Sequence, residues 1–220
     1  MDNFKLLIDG QLLDGADTID VINPATAEVL AKCPRSDPAL LDKAVAAASG
    51  AFLGWAATDI EVRAAKLIAL ADAIDADAAD FARLLTLEQG KPLEQAAGEI
   101  AASSYTLRTF AEMRLPVETL RDDESGRVTE TRSPLGVVAA ITPWNFPVLL
   151  LINKLAPALL AGNTIVVKPA PTTPLTTLRL AAFCATIFPK GVVNTVIDDG
   201  DLGHLLTEHP DIAKVAFTGS

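Results

Sequence analysis

The sequence predicts an α/β fold: a parallel sheet covered by helices on both faces and preceded by a helical region. Three observations lead there. From Gly136 onward, short and almost wholly apolar runs alternate with helical segments, the pattern of parallel strands buried on both sides. Half of the 220 residues are apolar while only 5% are aromatic, which suits an Ala/Leu/Ile/Val core of one sizeable domain. Between residues 36 and 111, proline, glycine and polar caps punctuate long stretches of helical character.

Leu6 to Ala31 reads as short extended pieces turned at Asp9-Gly10, Gly15-Ala16-Asp17 and Asn23-Pro24. Ser36-Asp37-Pro38 is a helix start, with a polar cap before proline, and a helix runs from Ala39 to Phe52. Thr58 and Glu61 have capping-box spacing. Leu67, Leu70, Ile74, Phe81 and Leu85 recur as one helical face, ended by Gly90 and Pro92. Leu93 to Ala111 is a further helix.

Residues 122–127 form a polar loop or hairpin tip, and Val128 to Thr131 an extended arm. The strands then follow at Gly136–Ile141, Thr164–Val167, Val192–Ile197 and Lys214–Phe217. Helices at Val148–Leu160, Pro174–Phe188 and Leu202–Glu208 separate them. Right-handed crossovers leave the loops at the strand carboxyl ends free for a ligand. Gly219-Ser220 falls where another helix should begin, so the sheet reads as incomplete and the domain as truncated.

The formal net charge of −10 disfavours contact with polyanions, and no basic tract suggests nucleic-acid binding. No apolar run predicts a membrane span, and the amino terminus lacks the apolar stretch of a secretory signal. Cys33 and Cys184 form neither a disulfide framework nor a metal set, and His204 and His209 lack a third ligand motif. The expectation is a soluble cytoplasmic protein without a metal.

Pro134-Leu135-Gly136-Val137-Val138 and Thr142-Pro143-Trp144-Asn145-Phe146-Pro147 resemble the NAD(P)-dependent aldehyde dehydrogenase superfamily. Gly162-Asn163-Thr164, Lys168-Pro169-Ala170 and Phe217-Thr218-Gly219-Ser220 continue the resemblance in order. Asn23-Pro24-Ala25-Thr26 and Thr86-Leu87-Glu88-Gln89-Gly90-Lys91-Pro92 extend it to the amino-terminal half. It implies residues 1–121 as the amino-terminal helical and extended part of the cofactor domain. Residues 122–133 become an oligomerisation arm, and 134–220 a partial Rossmann-like core. The catalytic domain, with its thiol and a glutamate base, is expected beyond Ser220.

The resemblance carries roles onto individual residues. Asn145 would donate its amide to the oxyanion formed when a cysteine thiolate attacks an aldehyde. Read without the resemblance, Asn145 is a turn residue satisfying local backbone. Lys154 is implied in a supporting catalytic role, and by composition is a helix-surface lysine. Cofactor contacts are implied for Ile141, Thr142, Pro143, Trp144, Lys168, Gly200, Gly203, Phe217 and Ser220, with Lys168 at the ribose. The cofactor is NAD or NADP. NAD-favouring relatives commonly have glutamate three residues after the lysine; here that residue is Pro171, which makes NADP acceptance more plausible. Asp198 stands where glycine is more usual, and Asp198, Asp199 and Asp201 would repel a pyrophosphate unless they point outward, as in a plain hydrophilic turn. Leu150 and Asn153 fall in the aldehyde-access region.

The reaction implied for the complete protein runs from aldehyde through thiohemiacetal and thioester to carboxylic acid, in a homo-oligomer. Cys184, in an apolar segment, reads as a buried hydrophobe, and Cys33 lies outside the active block. The chain alone is therefore expected to be catalytically incompetent. A stand-alone nucleotide-binding module and a non-catalytic assembly fragment are the alternatives.

Overall fold

The computed structural model describes residues 4–219. Two antiparallel hairpins open the chain: β1 (Leu6–Ile8) with β2 (Gln11–Leu13), and β3 (Asp17–Asn23) with β4 (Glu28–Arg35). Four helices follow, α1 (Pro38–Ala56), α2 (Ile60–Ala76), α3 (Ala78–Gln89) and α4 (Leu93–Ala111). A third hairpin joins β5 (Glu118–Asp123) to β6 (Gly126–Glu130). Strands and helices then alternate: β7 (Val137–Ile141), α5 (Pro147–Leu160), β8 (Thr164–Lys168), α6 (Leu175–Ile187), β9 (Val193–Thr195), α7 (Gly203–Glu208) and β10 (Ile212–Phe217).

The last four strands form one parallel sheet in the order β10-β7-β8-β9. Alternate side chains enter two cores because successive strand residues point to opposite faces. Val138, Ala140, Ile165 and Val167 pack with Leu151, Leu155 and Leu159 of α5. Val137, Ala139 and Val166 pack with Leu41 and Val45 of α1 and with Leu6 and Ile8 of β1. Burying each such Leu, Ile or Val contributes about 1.5–3 kcal/mol, so both faces need their helical cover. At the β9 edge, the Leu7 amide donates to Thr195 Oγ1 at 2.8 Å and the Asp9 amide to Asn194 Oδ1 at 3.0 Å. The first hairpin thereby blunts that edge with side-chain bonds. At the other edge β10 leaves Val215 and Phe217 exposed.

Local sequence explains several boundaries. Asp37 caps α1 by accepting from the Leu40 amide at 2.8 Å, with Pro38 opening the helix. Gly90 ends α3 at φ +91°, where a side-chain carbon would also come within 2.8 Å of Pro24 Cγ. Asn163 accepts from the Leu135 and Gly136 amides at 2.7 and 3.1 Å and donates to Ala158 O at 3.2 Å. It thus ties the start of β7 to the end of α5.

Three local expectations are corrected. The cap of α2 is Asp59, which accepts from the Glu61 amide at 2.8 Å, while Thr58 Oγ1 bonds back to Gly54 O at 3.0 Å. The apolar face from Leu67 to Leu85 belongs to two helices, broken at Asp77, although all five of its residues are buried. The extended arm is the second strand of a hairpin whose first strand starts at Glu118, and every residue of both strands is exposed.

Candidate functional site

Strand order reverses between β7 and β10: from β7 the chain crosses to β8 and β9 on one side, then returns to place β10 on the other. In open α/β sheets the carboxyl ends at such a reversal form a ligand crevice. A cleft of about 500 Å³ lies there, lined by Ile141 to Asn145, Leu150, Ala170 and Phe217 to Gly219. The structure therefore gathers Ile141, Thr142, Pro143, Trp144, Asn145 and Phe217 around one space. Two backbone bonds bind its walls together: the Thr142 amide donates to Lys168 O and the Thr218 amide to Ile141 O, both at 3.1 Å. Thr142 is buried, and its Oγ1 has no hydrogen-bond partner among the described residues. An unpaired buried hydroxyl at the edge of a cleft is free to bond a group that enters it. Ser220 lies outside the described residues.

The loop carrying Asn145 is held from behind by two residues that the sequence argument did not single out. Lys91 and Glu99 form a buried ion pair. Lys91 Nζ also donates to the Asn145 carbonyl at 2.7 Å and lies 4.1 Å from the centre of the Phe146 ring. Glu99 Oε1 accepts from the Val148 and Leu149 amides at 2.9 and 3.1 Å, capping α5 from another helix. The Asn145 side chain is exposed; its Oδ1 accepts from the Phe146 amide at 3.0 Å, and its Nδ2 has no partner among the described residues. The backbone is fixed while the amide N–H pair stays available, which is what an oxyanion donor requires.

Lys154 projects from α5 and donates to Thr218 Oγ1 at 2.6 Å, linking the helix to the loop after β10. Partial burial moves its pKa below the ordinary lysine value. Asn153 is separated from Leu150: Leu150 lines the cleft, whereas Asn153 lines a groove of about 510 Å³ along β10 together with Lys154.

Lys168 ends β8, and it is not a solvated strand-end lysine. Its Nζ lies 2.6 Å from Asp198 Oδ1, with side-chain exposures of 9% and 0%. Asp198 is consequently no part of a hydrophilic turn. It points inward, and its Oδ2 accepts from the Leu202 amide at 2.8 Å. Asp199 and Asp201 are exposed, with Asp201 paired to Arg35 at 2.5 Å. Pro171 leaves no carboxylate at its own position, but Asp198, in the segment after β9, places one beside Lys168. Gly200 requires glycine, at φ +92° in open space, whereas a methyl on Gly203 would only touch Lys168 Cε at 3.8 Å. Lys168 and Gly203 are thus brought together, and Gly200 lies on the exposed loop before them.

Glu88 repeats the role of Glu99. Buried in α3, it accepts from the Leu175 and Thr176 amides at 2.7 and 3.0 Å and from the Thr176 hydroxyl, capping α6. Burial pushes its pKa up to about 7 against those hydrogen bonds. Both cysteines are buried. Burial raises the Cys33 thiol above its usual range and pushes Cys184 up to about 12, so neither supplies a thiolate near neutral pH. Among the described residues, no group of three or more His, Cys, Asp or Glu could hold a metal ion. No helix among them is long and apolar enough to cross a membrane.

Comparison with known proteins gives the geometry its relatives. Residues 13–220 match the aldehyde dehydrogenase family. The chain is 42% identical over 207 residues to the 3,6-anhydro-alpha-L-galactose dehydrogenase of Streptomyces coelicolor, which covers 92% of this chain and 42% of that protein. An NADP dependent enzyme of E. coli has a TM-score of 0.94 at 39% identity, covering 98% of this chain and 46% of that one. Betaine aldehyde dehydrogenase of Staphylococcus aureus, solved in complex with NAD+, has a TM-score of 0.95 at 32% identity, covering 99% and 45%. The chain spans less than half the length of these relatives. With the match running from residue 13 to residue 220, the chain belongs to the aldehyde dehydrogenase family.

Proposed function

We propose that this chain is the cofactor-binding part of a dehydrogenase that oxidises an aldehyde to a carboxylic acid with NAD+ or NADP+. The reaction passes through a thiohemiacetal and a thioester on a cysteine outside these 220 residues. The observation that carries the reading is the cleft at the β7/β10 reversal, with an unpaired Thr142 hydroxyl and the Asn145 amide on its wall. The kinship with enzymes solved with NAD+ or named as NADP dependent supports the cofactor.

The residues present fit a dinucleotide. Thr142 and the backbone from Ile141 to Trp144 line the cleft, Phe217 faces it, and the Lys168 ammonium stands at the neighbouring strand end beside Gly203. Gly200 and Ser220 complete the proposed cofactor set. The bound nicotinamide supplies a hydride acceptor. Asn145 donates to the oxyanion that develops on the aldehyde carbon's oxygen, where a well-placed donor stabilises the transition state by about 3–4 kcal/mol. Lys154 positions the Thr218 loop on the cleft's edge through its bond to the Thr218 hydroxyl, in a supporting catalytic role.

The complete protein on this reading is a cytoplasmic homo-oligomer, with residues 1–121 and 134–220 forming one cofactor domain and 122–133 its oligomerisation arm. Exposed Val128 on the arm, with exposed Leu120 on the strand paired to it, supports an assembly role for the third hairpin. The reading is tested by calorimetric titration of the chain with NAD+ and NADP+, followed by an aldehyde assay. Saturable binding without aldehyde-dependent reduction of the nicotinamide is expected. Binding of neither cofactor removes the reading, and turnover that tracks chain concentration removes the external cysteine.

A further inference from the structure

We propose that Arg35 is a positioning residue for the nicotinamide dinucleotide: through Asp201 it holds the glycine loop after β9 in the form that receives the cofactor. The inference rests on the cofactor reading above and goes beyond it by assigning a residue of the second hairpin to the site.

Three features support it. First, the base from which Arg35 reaches is fixed. Arg35 closes β4, pairs with Asp17, and its carbonyl accepts from the Ala16 amide at 2.9 Å. Buried Ser36 then exchanges two bonds with the residue just before the loop: its amide donates to Ile197 O at 2.7 Å, and its Oγ accepts from the Ile197 amide at 3.2 Å. Second, one carboxylate joins that base to the loop. Asp201 Oδ2 accepts from Arg35 Nη2 at 2.5 Å, while Oδ1 accepts from the Asp199 amide at 3.4 Å across Gly200. Third, packing does not hold this turn. Asp199, Gly200 and Asp201 are exposed, and a side-chain carbon on Gly200 would meet no atom within 4 Å beyond its chain neighbours. Among the described residues, Arg35 is the one side chain from outside the loop that bonds residues 199–201.

The loop bears on the cofactor through both of its ends. At its start Asp198 stands beside Lys168 and holds the Leu202 amide at 2.8 Å. At its end Gly203 lies against the Lys168 side chain. A loop ordered only when the ligand arrives loses conformational entropy at that moment, and a loop held beforehand has already lost it. Arg35 also offsets the charge of Asp201 in a loop assigned to an anionic ligand. Positioning and charge have opposite signatures at Asp201. Removing that carboxylate removes a negative charge, which favours a dinucleotide, but it also frees the loop, which disfavours one. The positioning account requires the second effect to win.

The test titrates the full chain calorimetrically with NAD+ and NADP+, unsubstituted and as Arg35→Met, Arg35→Lys, Asp201→Ala and the double variant Arg35→Met/Asp201→Ala. Arg35→Met and Asp201→Ala are each expected to weaken cofactor binding by roughly fivefold, the upper range for a partly exposed ion pair. The double variant is expected to bind no more weakly than either single one, and Arg35→Lys to recover most of the affinity. With side-chain exposures of 32% and 51% the pair adds little to global stability, so urea midpoints should stay unchanged. Tighter binding by Asp201→Ala, unchanged binding by both single variants, or additive losses in the double variant would overturn the inference while cofactor binding stands. A lowered urea midpoint in Asp201→Ala would assign the pair to general stability and overturn it too. If neither nucleotide binds the unsubstituted chain, the cofactor reading and the inference fall together. Should Arg35→Met not fold, the sign of the Asp201→Ala effect decides.

Discussion

The Lys91 ammonium and the Glu99 carboxylate meet in a buried pair, and each uses its remaining bonding capacity on the loop that carries Asn145. Lys91 holds the Asn145 carbonyl, and Glu99 holds the first amides of α5 just beyond it. Two residues of the helical region thus position a loop of the sheet more than forty residues later in sequence. Breaking such a pair leaves one buried charge without compensation, at a cost of about 3–5 kcal/mol. Lys91→Met is expected to destabilise the chain on that scale in urea unfolding. The double variant Lys91→Met/Glu99→Gln should lose much less than the two single losses added. Additive losses would show that the pair is not the unit that holds the loop.

Asn145 itself contributes little to that framework. Its side chain is exposed and accepts only from the next amide, at 3.0 Å. On the proposed reading, Asn145→Ala in a complete enzyme is expected to lower kcat for aldehyde oxidation by roughly 10²–10³-fold, the loss typical of a missing oxyanion donor. Cofactor affinity and the urea midpoint should stay nearly unchanged. Parallel losses in turnover and cofactor binding would instead assign Asn145 to the turn.

The sheet was legible in the sequence because β7 and β8 are short, almost wholly apolar runs set between helical segments, the pattern of strands buried on both faces. The start of α1 was legible because Asp37 and Pro38 act within one turn of each other. The break between α2 and α3 was hidden. Ile74 and Phe81 are seven residues apart, two helical turns, so the apolar face continues across the interruption at Asp77. Asp77 is engaged by Arg179 of α6, a partner about a hundred residues away. Distance in sequence also concealed the Lys168–Asp198 pair and the two capping glutamates. Three clustered aspartates read as a solvated turn until topology turned one of them inward. Of the candidate site, the motif around Asn145 was visible, and the residues that fix it were not.

Glu88 gives the chain a pH dependence with a definite sign. Burial raises its pKa from 4.5 to about 7 in the folded state. Between those values the folded chain holds a proton that the unfolded chain has released, so stability falls as pH rises through that window. Below about pH 4.5 both states are protonated and the contribution is fully retained. A shift of this size corresponds to roughly 3 kcal/mol. Glu88→Gln keeps an acceptor for the Leu175 and Thr176 amides and removes the titration. Its stability relative to the unsubstituted chain is expected to rise from pH 5 to pH 8. Chemical denaturation across that range decides the matter, and a constant difference between the two proteins would show that Glu88 does not titrate there.

Thr142 allows stability and ligand binding to be separated. Its amide is committed to Lys168 O, but its buried hydroxyl has no partner among the described residues and borders the cleft. An unsatisfied buried hydroxyl costs about 1–3 kcal/mol, and valine fills nearly the same volume without one. Thr142→Val is therefore expected to leave the unliganded chain as stable or to stabilise it by up to about 1 kcal/mol. The same substitution should weaken binding of the nicotinamide dinucleotide, because on the proposed reading the bound cofactor takes up this hydroxyl's hydrogen bond. Thermal unfolding without cofactor gives the first effect and calorimetric titration the second. Opposite signs support a hydroxyl kept for the ligand. A marked loss of stability would mean that the hydroxyl has a structural partner after all, and unchanged cofactor affinity would remove Thr142 from the binding site.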